Sequence, residues 1–137
     1  MEVVGTMQFS LSLTAAMLAT VGFLGLAVFQ VLLALGYPLG RAAWGGKHER
    51  LPANLRIASA ISAVVFLAAV ILVLERAGMF TVLGNSTLVT YGVWALVVLL
   101  GLSALGNFAS SSDLEKRIMA PVALVLCLLC VVVALGL

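Results

Sequence analysis

The sequence predicts an all-α integral membrane protein in which one domain, residues 1–137, folds as an up-and-down bundle of four transmembrane helices. Composition is the first observation behind this prediction, because 64% of the residues are hydrophobic and only 9% are charged. A soluble domain carries about a quarter charged residues, so a chain this poor in charge needs lipid as part of its solvent.

Four long apolar runs are the second observation. Each is long enough for the ~20 helical residues that cross about 30 Å of hydrocarbon. Backbone amides in lipid must be bonded within the segment, so such runs become helices. Short loops place consecutive helices side by side. We predict helices at about residues 10–35, 55–76, 87–107 and 113–137.

Residues at the ends of the runs support these bounds. Gly36, followed by Pro38, is typical of the end of the first helix. Asn54 and Asn85 are expected to cap the starts of the second and third helices. The segment 112–115, with the sequence SDLE, predicts a capping box that opens the fourth helix.

Two further features concern the first and fourth helices. Pro121 lies inside the fourth helix, where its ring removes one hydrogen bond and favours a kink. The N-terminus has Glu2 and no Lys or Arg before Arg41, which is untypical of a secretory signal. We therefore interpret the first apolar run as a retained span.

Basic residues are distributed unevenly among the loops. Loops 1 and 3, with the first turns of the helices that follow them, hold six of the seven: Arg41, Lys47, Arg50, Arg56, Lys116 and Arg117. The loop after the second helix has only Arg76, and the termini have none. Because Lys and Arg favour the cytoplasmic side, we expect loops 1 and 3 in the cytoplasm and both termini outside. In a bacterium this membrane would be the inner membrane.

Loop 1 is the most distinctive stretch of the chain, since it is rich in glycine, basic and aromatic residues. Its candidate contact residues are Arg41, Trp44, Gly45, Gly46, Lys47 and Arg50. Backbone amides around the two glycines, with the basic side chains, could hold a headgroup phosphate or contact a partner. The alternative is a tight interfacial connection that Trp44 and anionic lipid hold down. No metal site is expected, because one histidine, His48, gives too few ligands for zinc.

Polar residues within the predicted spans form a second candidate set: Gln30, Ser103 and Asn107. They favour one of two roles. As structural residues, their side chains would hydrogen-bond between closely packed helices. As functional residues, they would line a permeation path or contact a ligand. We expect no ionisable residue in the middle of a span, which argues against an ion or proton pump.

Cys127 and Cys130 form a CxxC pair on the fourth helix. Such a pair is found in quinone-linked thiol oxidoreductases, and vitamin K epoxide reductase-like enzymes are four-helix membrane proteins of this kind. The sequence lacks the second cysteine pair that shuttles electrons in those enzymes. A thiol inside an apolar helix is more typical of a small packing residue.

The segment GYPLGRAAWGGKHERLPANLRIAS, residues 36–59, resembles loop 1 of uncharacterised small four-transmembrane-helix proteins from high-GC bacteria. The likeness is carried chiefly by the core from Gly40 to Gly46 and extends to NFASSSDLEKRIMAPVAL, residues 107–124. This resemblance implies a four-helix fold and a bacterial origin. It implies no activity.

The leading functional hypothesis is a non-enzymatic, self-assembling or accessory membrane subunit with loop 1 as its contact. The expected partners are membrane lipids and further copies or a larger membrane complex, without nucleic acid, cofactor or metal. The alternative is a small oligomeric channel or transporter, with Gln30, Ser103 and Asn107 along its path. A thiol oxidoreductase using Cys127 and Cys130 is the third hypothesis.

Overall fold

Four long helices make up the computed structural model, which describes the backbone of residues 2–137 and the side chains of residues 11–137. The helices are α1 (Glu2–Ala34), α2 (Ala53–Arg76), α3 (Ser86–Phe108) and α4 (Ala120–Leu135). A π-helical turn over Glu115–Met119 leads directly into α4. The predicted all-α, four-helix fold is confirmed. With that turn counted as part of α4, the helical bounds differ from the predicted ones by one or two residues, except that α1 begins earlier.

All four helices are long and apolar enough to cross a membrane. The candidate spans are Leu11–Ala34, Ala53–Arg76, Ser86–Phe108 and Glu115–Leu135. The apolar side chains on their outer faces, such as Val21, Val64 and Leu105, are more than 60% exposed. Lipid is the solvent that accommodates such a surface. The chain is therefore a multi-pass membrane protein.

Consecutive helices pack side by side, and α1 also packs against α4, which closes the ring. Loops 1 and 3 lie at one end, where the Ser112 hydroxyl donates to the Arg41 carbonyl over 2.5 Å. We call it the basic end. At the opposite end, here the far end, the Ser12 amide donates to the Leu137 carbonyl over 2.8 Å. These contacts fit an up-and-down course of the chain.

Small residues fill the centre of the bundle toward the far end. The cluster combines fully buried alanines with larger side chains, and includes Ala16, Ala19, Phe23, Ala69, Val73, Val93, Leu126, Cys130 and Val133. Alanine and glycine let helix backbones approach closely. In lipid the hydrophobic effect does not drive helices together, so this close packing is what stabilises helix pairs. Gly92 shows this between α2 and α3, since a Cβ there would lie 2.9 Å from Leu72 Cδ2.

Two predicted helix starts have different outcomes. Asn85 caps α3 as predicted, because its side-chain oxygen accepts from the Leu88 amide over 3.0 Å. The prediction for Asn54 is wrong. Helix α2 begins at Ala53 with Pro52 in the cap position and no side-chain cap. Proline supplies the extended backbone that precedes a helix, so the first turn starts ahead of Asn54.

The capping box before α4 forms only in part. The Glu115 amide donates to the Ser112 hydroxyl over 3.4 Å, as the motif predicts. The Glu115 carboxylate does not return to Ser112, and instead accepts from the Ser110 hydroxyl over 3.2 Å. Pro121 follows the π-helical turn, in which the Ala120 amide donates to the Glu115 carbonyl five residues back. The widened turn thus occurs where the proline disturbs the α-helical hydrogen-bond pattern.

Candidate functional site

Loop 1 folds back over the basic end of the bundle instead of extending away from it. It contains two short 3₁₀ turns, Gly40–Ala42 and Trp44–Gly46. Trp44, Gly45 and Gly46 all have positive φ angles, of 51°, 84° and 71°. Glycine adopts this backbone without strain, which explains the Gly-Gly pair.

Three hydrogen bonds join loop 1 and the helix ends beside it to α2, α1 and loop 3. The Trp44 indole donates to the buried Ser59 hydroxyl over 3.0 Å. The Arg56 guanidinium donates to the Ala34 carbonyl at the end of α1 over 2.8 Å. Ser112 holds the Arg41 carbonyl, and beneath the loop Ala43 and Leu51 pack on Leu33. Loop 1 is therefore a fixed part of the fold.

The basic side chains predicted in loop 1 point away from the bundle. Arg41, Lys47 and Arg50 are exposed, and so are Arg56, Lys116 and Arg117 at the same end. The predicted phosphate cradle of backbone amides lacks one of its donors, because the Gly46 amide already donates to the Ala43 carbonyl over 2.9 Å. Arg41 Nη1 donates to the Gly46 carbonyl over 3.3 Å. The side chains, more than the amides, are available to anions.

Beneath loop 1, a cavity of about 480 Å³ lies among the four helices. Its wall includes Leu26, Phe29 and Gln30 of α1, Ile61, Ser62, Val65 and Phe66 of α2, Leu99, Ser103 and Asn107 of α3, and Met119 and Val122. Trp44 and Ala43 of loop 1 complete it. Small-molecule sites usually measure about 300–1,000 Å³. The cavity is thus large enough for a small ligand.

The three polar residues predicted within the spans meet at this cavity. Gln30, Ser103 and Asn107 all line it, from α1 and α3. Asn107 Nδ2 donates to the Ser103 hydroxyl within its own helix, over 3.4 Å. Gln30 Oε1 is buried and has no hydrogen-bond partner in the part of the chain that the structure describes. No side-chain hydrogen bond joins Gln30 to α3 among the described residues, so Gln30 Oε1 remains available to a ligand.

Glu115 is the lining residue that the sequence reasoning missed. Its side chain is only 6% exposed and contributes to the cavity wall. The capping-box motif placed Glu115 at the start of the fourth helix. For that reason it was not considered among the polar residues within the spans. Glu115 lies four residues before Met119 and eight before Ala123, which continues the buried face of α4. This helical spacing was the signal that could have placed Glu115 on the inward face.

The cavity opens on one side and is closed at its base. Its exposed lining residues lie on α2, on α3 and in loop 1: Trp44, Ile61, Val65, Leu99, Ser103 and Gly106. Helices α2 and α3 approach at Leu72 and Gly92, so the mouth lies between their other halves. At the base, Phe66 stacks on the fully buried Phe23 with ring centroids 6.1 Å apart.

The cysteine pair lies away from this cavity. Cys130 is fully buried in the core cluster, and Cys127 is partly buried with its thiol 3.4 Å from the Val97 carbonyl. Both are free cysteines. Neither thiol faces the cavity or loop 1, so this arrangement favours packing over thiol exchange.

Comparison with protein-family models, with curated proteins and with solved structures found no match for this chain. The fold and the site define its class, a four-helix multi-pass membrane protein with a mostly apolar cavity, lined by a few polar residues, under a basic loop. The likeness to small four-span proteins of high-GC bacteria stays a prediction from the sequence.

The indole of Trp44 is expected to stabilise the wall of the cavity. Trp44→Phe removes the donor to Ser59, whose hydroxyl is fully buried, and should lower the free energy of unfolding by about 1–3 kcal/mol. Trp94→Phe is the matched control, because the Trp94 indole makes no hydrogen bond to a described residue. Thermal unfolding in detergent, followed by circular dichroism, measures both; equal midpoints would contradict the role of Trp44.

Proposed function

We propose that this chain is a non-enzymatic accessory or self-assembling subunit of a bacterial inner membrane, which uses its basic end to engage anionic lipid headgroups or an anionic partner. The observation that carries the proposal is the concentration of exposed basic side chains at one end, on loop 1 and on the starts of the second and fourth helices. Membrane lipids and further copies or a larger complex are its proposed partners.

Charge supports this proposal more than any other feature. Arg41, Lys47, Arg50, Arg56, Lys116 and Arg117 all lie at the basic end. The far end has Arg76 alone among the described residues, and its guanidinium donates to the Ala134 carbonyl over 3.0 Å. Basic residues beside a membrane gain about 1 kcal/mol each from anionic lipid on the cytoplasmic side. We therefore propose that loops 1 and 3 are cytoplasmic and that both termini are outside.

Native mass spectrometry of the protein released from mild detergent tests this role. We expect bound phosphatidylglycerol to be retained in preference to phosphatidylcholine, on a defined homo-oligomer or on a complex with a partner. The double variant Lys47→Gln/Arg50→Gln removes two exposed charges without removing a side-chain hydrogen bond between described residues. At about 1 kcal/mol each, their loss should lower the preference for phosphatidylglycerol roughly thirtyfold.

Glu49→Gln is the matched control for that variant, because it changes a side chain between the two substituted positions and removes a negative charge. Its preference for phosphatidylglycerol should be equal to or higher than that of the unmodified protein. If the double variant keeps the full preference, the basic end does not engage anionic headgroups. A monomer that retains neither lipid nor partner would contradict the subunit role as well.

A small channel or transporter is the second candidate function, and the cavity is the observation that favours it. Gln30, Ser103 and Asn107 line the cavity as a path would require. The stacked Phe23 and Phe66 and the apolar cluster beyond them fill the far half of the bundle. Passage through one chain would therefore need this half to open. Solute uptake into liposomes containing the purified protein would favour this candidate over the first.

A further inference from the structure

The cavity presents hydrogen-bond acceptors that the described residues do not fully satisfy. Gln30 Oε1 is buried and unpartnered within the described part of the chain, and Glu115 adds a buried carboxylate, of which Oε1 accepts from the Ser110 hydroxyl. A buried polar group without a hydrogen bond costs about 1–3 kcal/mol, and more when it is charged. The arrangement therefore favours an occupant that brings hydrogen-bond donors to this wall.

The charges around the cavity indicate the sign of the charge that the ligand carries. Among the described residues, Glu115 is the one charged member of the lining, and neither Lys nor Arg belongs to it. The exposed basic side chains lie on the outer surface of the same end. A charged group that is buried in a protein is usually paired with an opposite charge or with hydrogen-bond donors. A cationic head group complements this wall, whereas a carboxylate or phosphate would meet Glu115 without a counter-charge.

The position of the cavity mouth indicates that the remainder of the ligand is apolar. The mouth lies between α2 and α3 and is bordered by the exposed apolar side chains of Ile61, Val65 and Leu99. These residues belong to membrane spans, so the mouth faces hydrocarbon rather than water. Phe66 and Phe23 close the base. A tail that leaves through this mouth remains in an apolar environment.

We infer that the cavity binds an amphiphile with an ammonium head and an apolar tail. The head donates to Glu115 and Gln30, and the tail passes out between α2 and α3. Asn107 and Ser103 lie beside the head and supply further oxygen acceptors. This inference is independent of the proposed role of the basic end, because it concerns the inside of the bundle and the opposite sign of ligand charge.

Titration of the purified protein with decylamine tests this inference. In a Trp94→Phe background Trp44 is the only tryptophan, and it lies in the cavity wall. In phosphatidylcholine nanodiscs we expect a saturable change of Trp44 fluorescence with decylamine. Decanoate has a tail of similar length with an anionic head, and should give only a non-saturating change. Saturable binding of decanoate at the same concentrations would overturn the inference.

Two variants locate the head group. Glu115→Gln and Gln30→Leu should each weaken decylamine binding about tenfold or more, as expected for a lost hydrogen bond to a charged group. Asp113→Asn is the matched control, because it removes an exposed carboxylate two residues from Glu115, and its binding should be unchanged. If Glu115→Gln does not fold, Gln30→Leu still decides. Unchanged binding in the folded variants, or equal weakening in Asp113→Asn, would overturn the inference.

An ammonium head on an apolar tail occurs in free lipophilic amines and in ethanolamine phospholipids. Nanodiscs that also contain phosphatidylethanolamine distinguish these sources. Competition with decylamine would support the inference with a membrane lipid as the ligand. Unchanged decylamine affinity would support it with a free lipophilic amine as the ligand.

Discussion

The Ala69→Leu variant is expected to lose about 3 kcal/mol of stability, whereas Ala68→Leu, one position earlier, should lose almost none. Ala69 is fully buried in the core cluster between the helices, and Ala68 is exposed on the outer face of α2. A larger side chain in a packed interior forces the neighbouring backbones apart, which costs about 1–3 kcal/mol. On the outer face the same side chain extends into lipid.

Thermal unfolding of both variants in the same detergent measures this difference. The change of residue type is identical and both positions lie on one helix, so helix propensity and hydrophobicity cancel in the comparison. We expect a lower unfolding midpoint for Ala69→Leu only. A lower midpoint for Ala68→Leu, with Ala69→Leu unchanged, would mean that the inward and outward faces of α2 are reversed.

Gly40→Ala is expected to disrupt loop 1 and lower the free energy of unfolding by about 3 kcal/mol. A Cβ at Gly40 would overlap the His48 carbonyl oxygen and lie 2.8 Å from the Glu49 carbonyl oxygen. Both are backbone atoms, so no rotation of a side chain relieves the overlap. The Gly40 amide also donates to the Glu49 carbonyl over 2.8 Å, and this bond would be lost as the loop moves.

Gly25→Ala is the control for Gly40→Ala, because Gly25 is helical and a Cβ there would meet no atom of a described neighbour within 4 Å. Its unfolding midpoint should be unchanged or slightly higher, since alanine favours helices over glycine. Limited proteolysis reports the loop directly: Gly40→Ala should be cleaved between residues 41 and 50 faster than the unmodified protein. Equal cleavage and equal midpoints would contradict the close approach of Gly40 to the backbone of His48 and Glu49.

The fold follows from the sequence because apolar run length and the hydrogen-bonding demands of lipid allow few alternatives. Gly36 and Asn85 also identify helix ends, since Gly36 has a positive φ of 91° and Asn85 caps α3. Asn54 misled the prediction because a good capping residue can equally lie in a first turn. Proline at position 52 sets the backbone that starts α2.

The candidate site was predictable only in its parts. Helical spacing places Gln30 on one helix face and Ser103 with Asn107 on another, and each face does border the cavity. That a cavity lies between these faces depends on how far α2 and α3 separate beyond Leu72 and Gly92, which no local pattern encodes. Glu115 is buried within the π-helical turn before Pro121, and its four-residue spacing to Met119 indicates the buried side of the helix but not the cavity beside it.

Cysteine labelling in intact bacterial cells tests most directly whether the basic end faces the cytoplasm. In a Cys127→Ala/Cys130→Ala background, His48→Cys introduces a thiol at the basic end and Thr81→Cys introduces one at the far end; both positions are exposed. With a membrane-impermeant maleimide we expect Thr81→Cys to be labelled in intact cells and His48→Cys only after lysis. Labelling of His48→Cys in intact cells, with Thr81→Cys protected, would contradict the cytoplasmic position of the basic end.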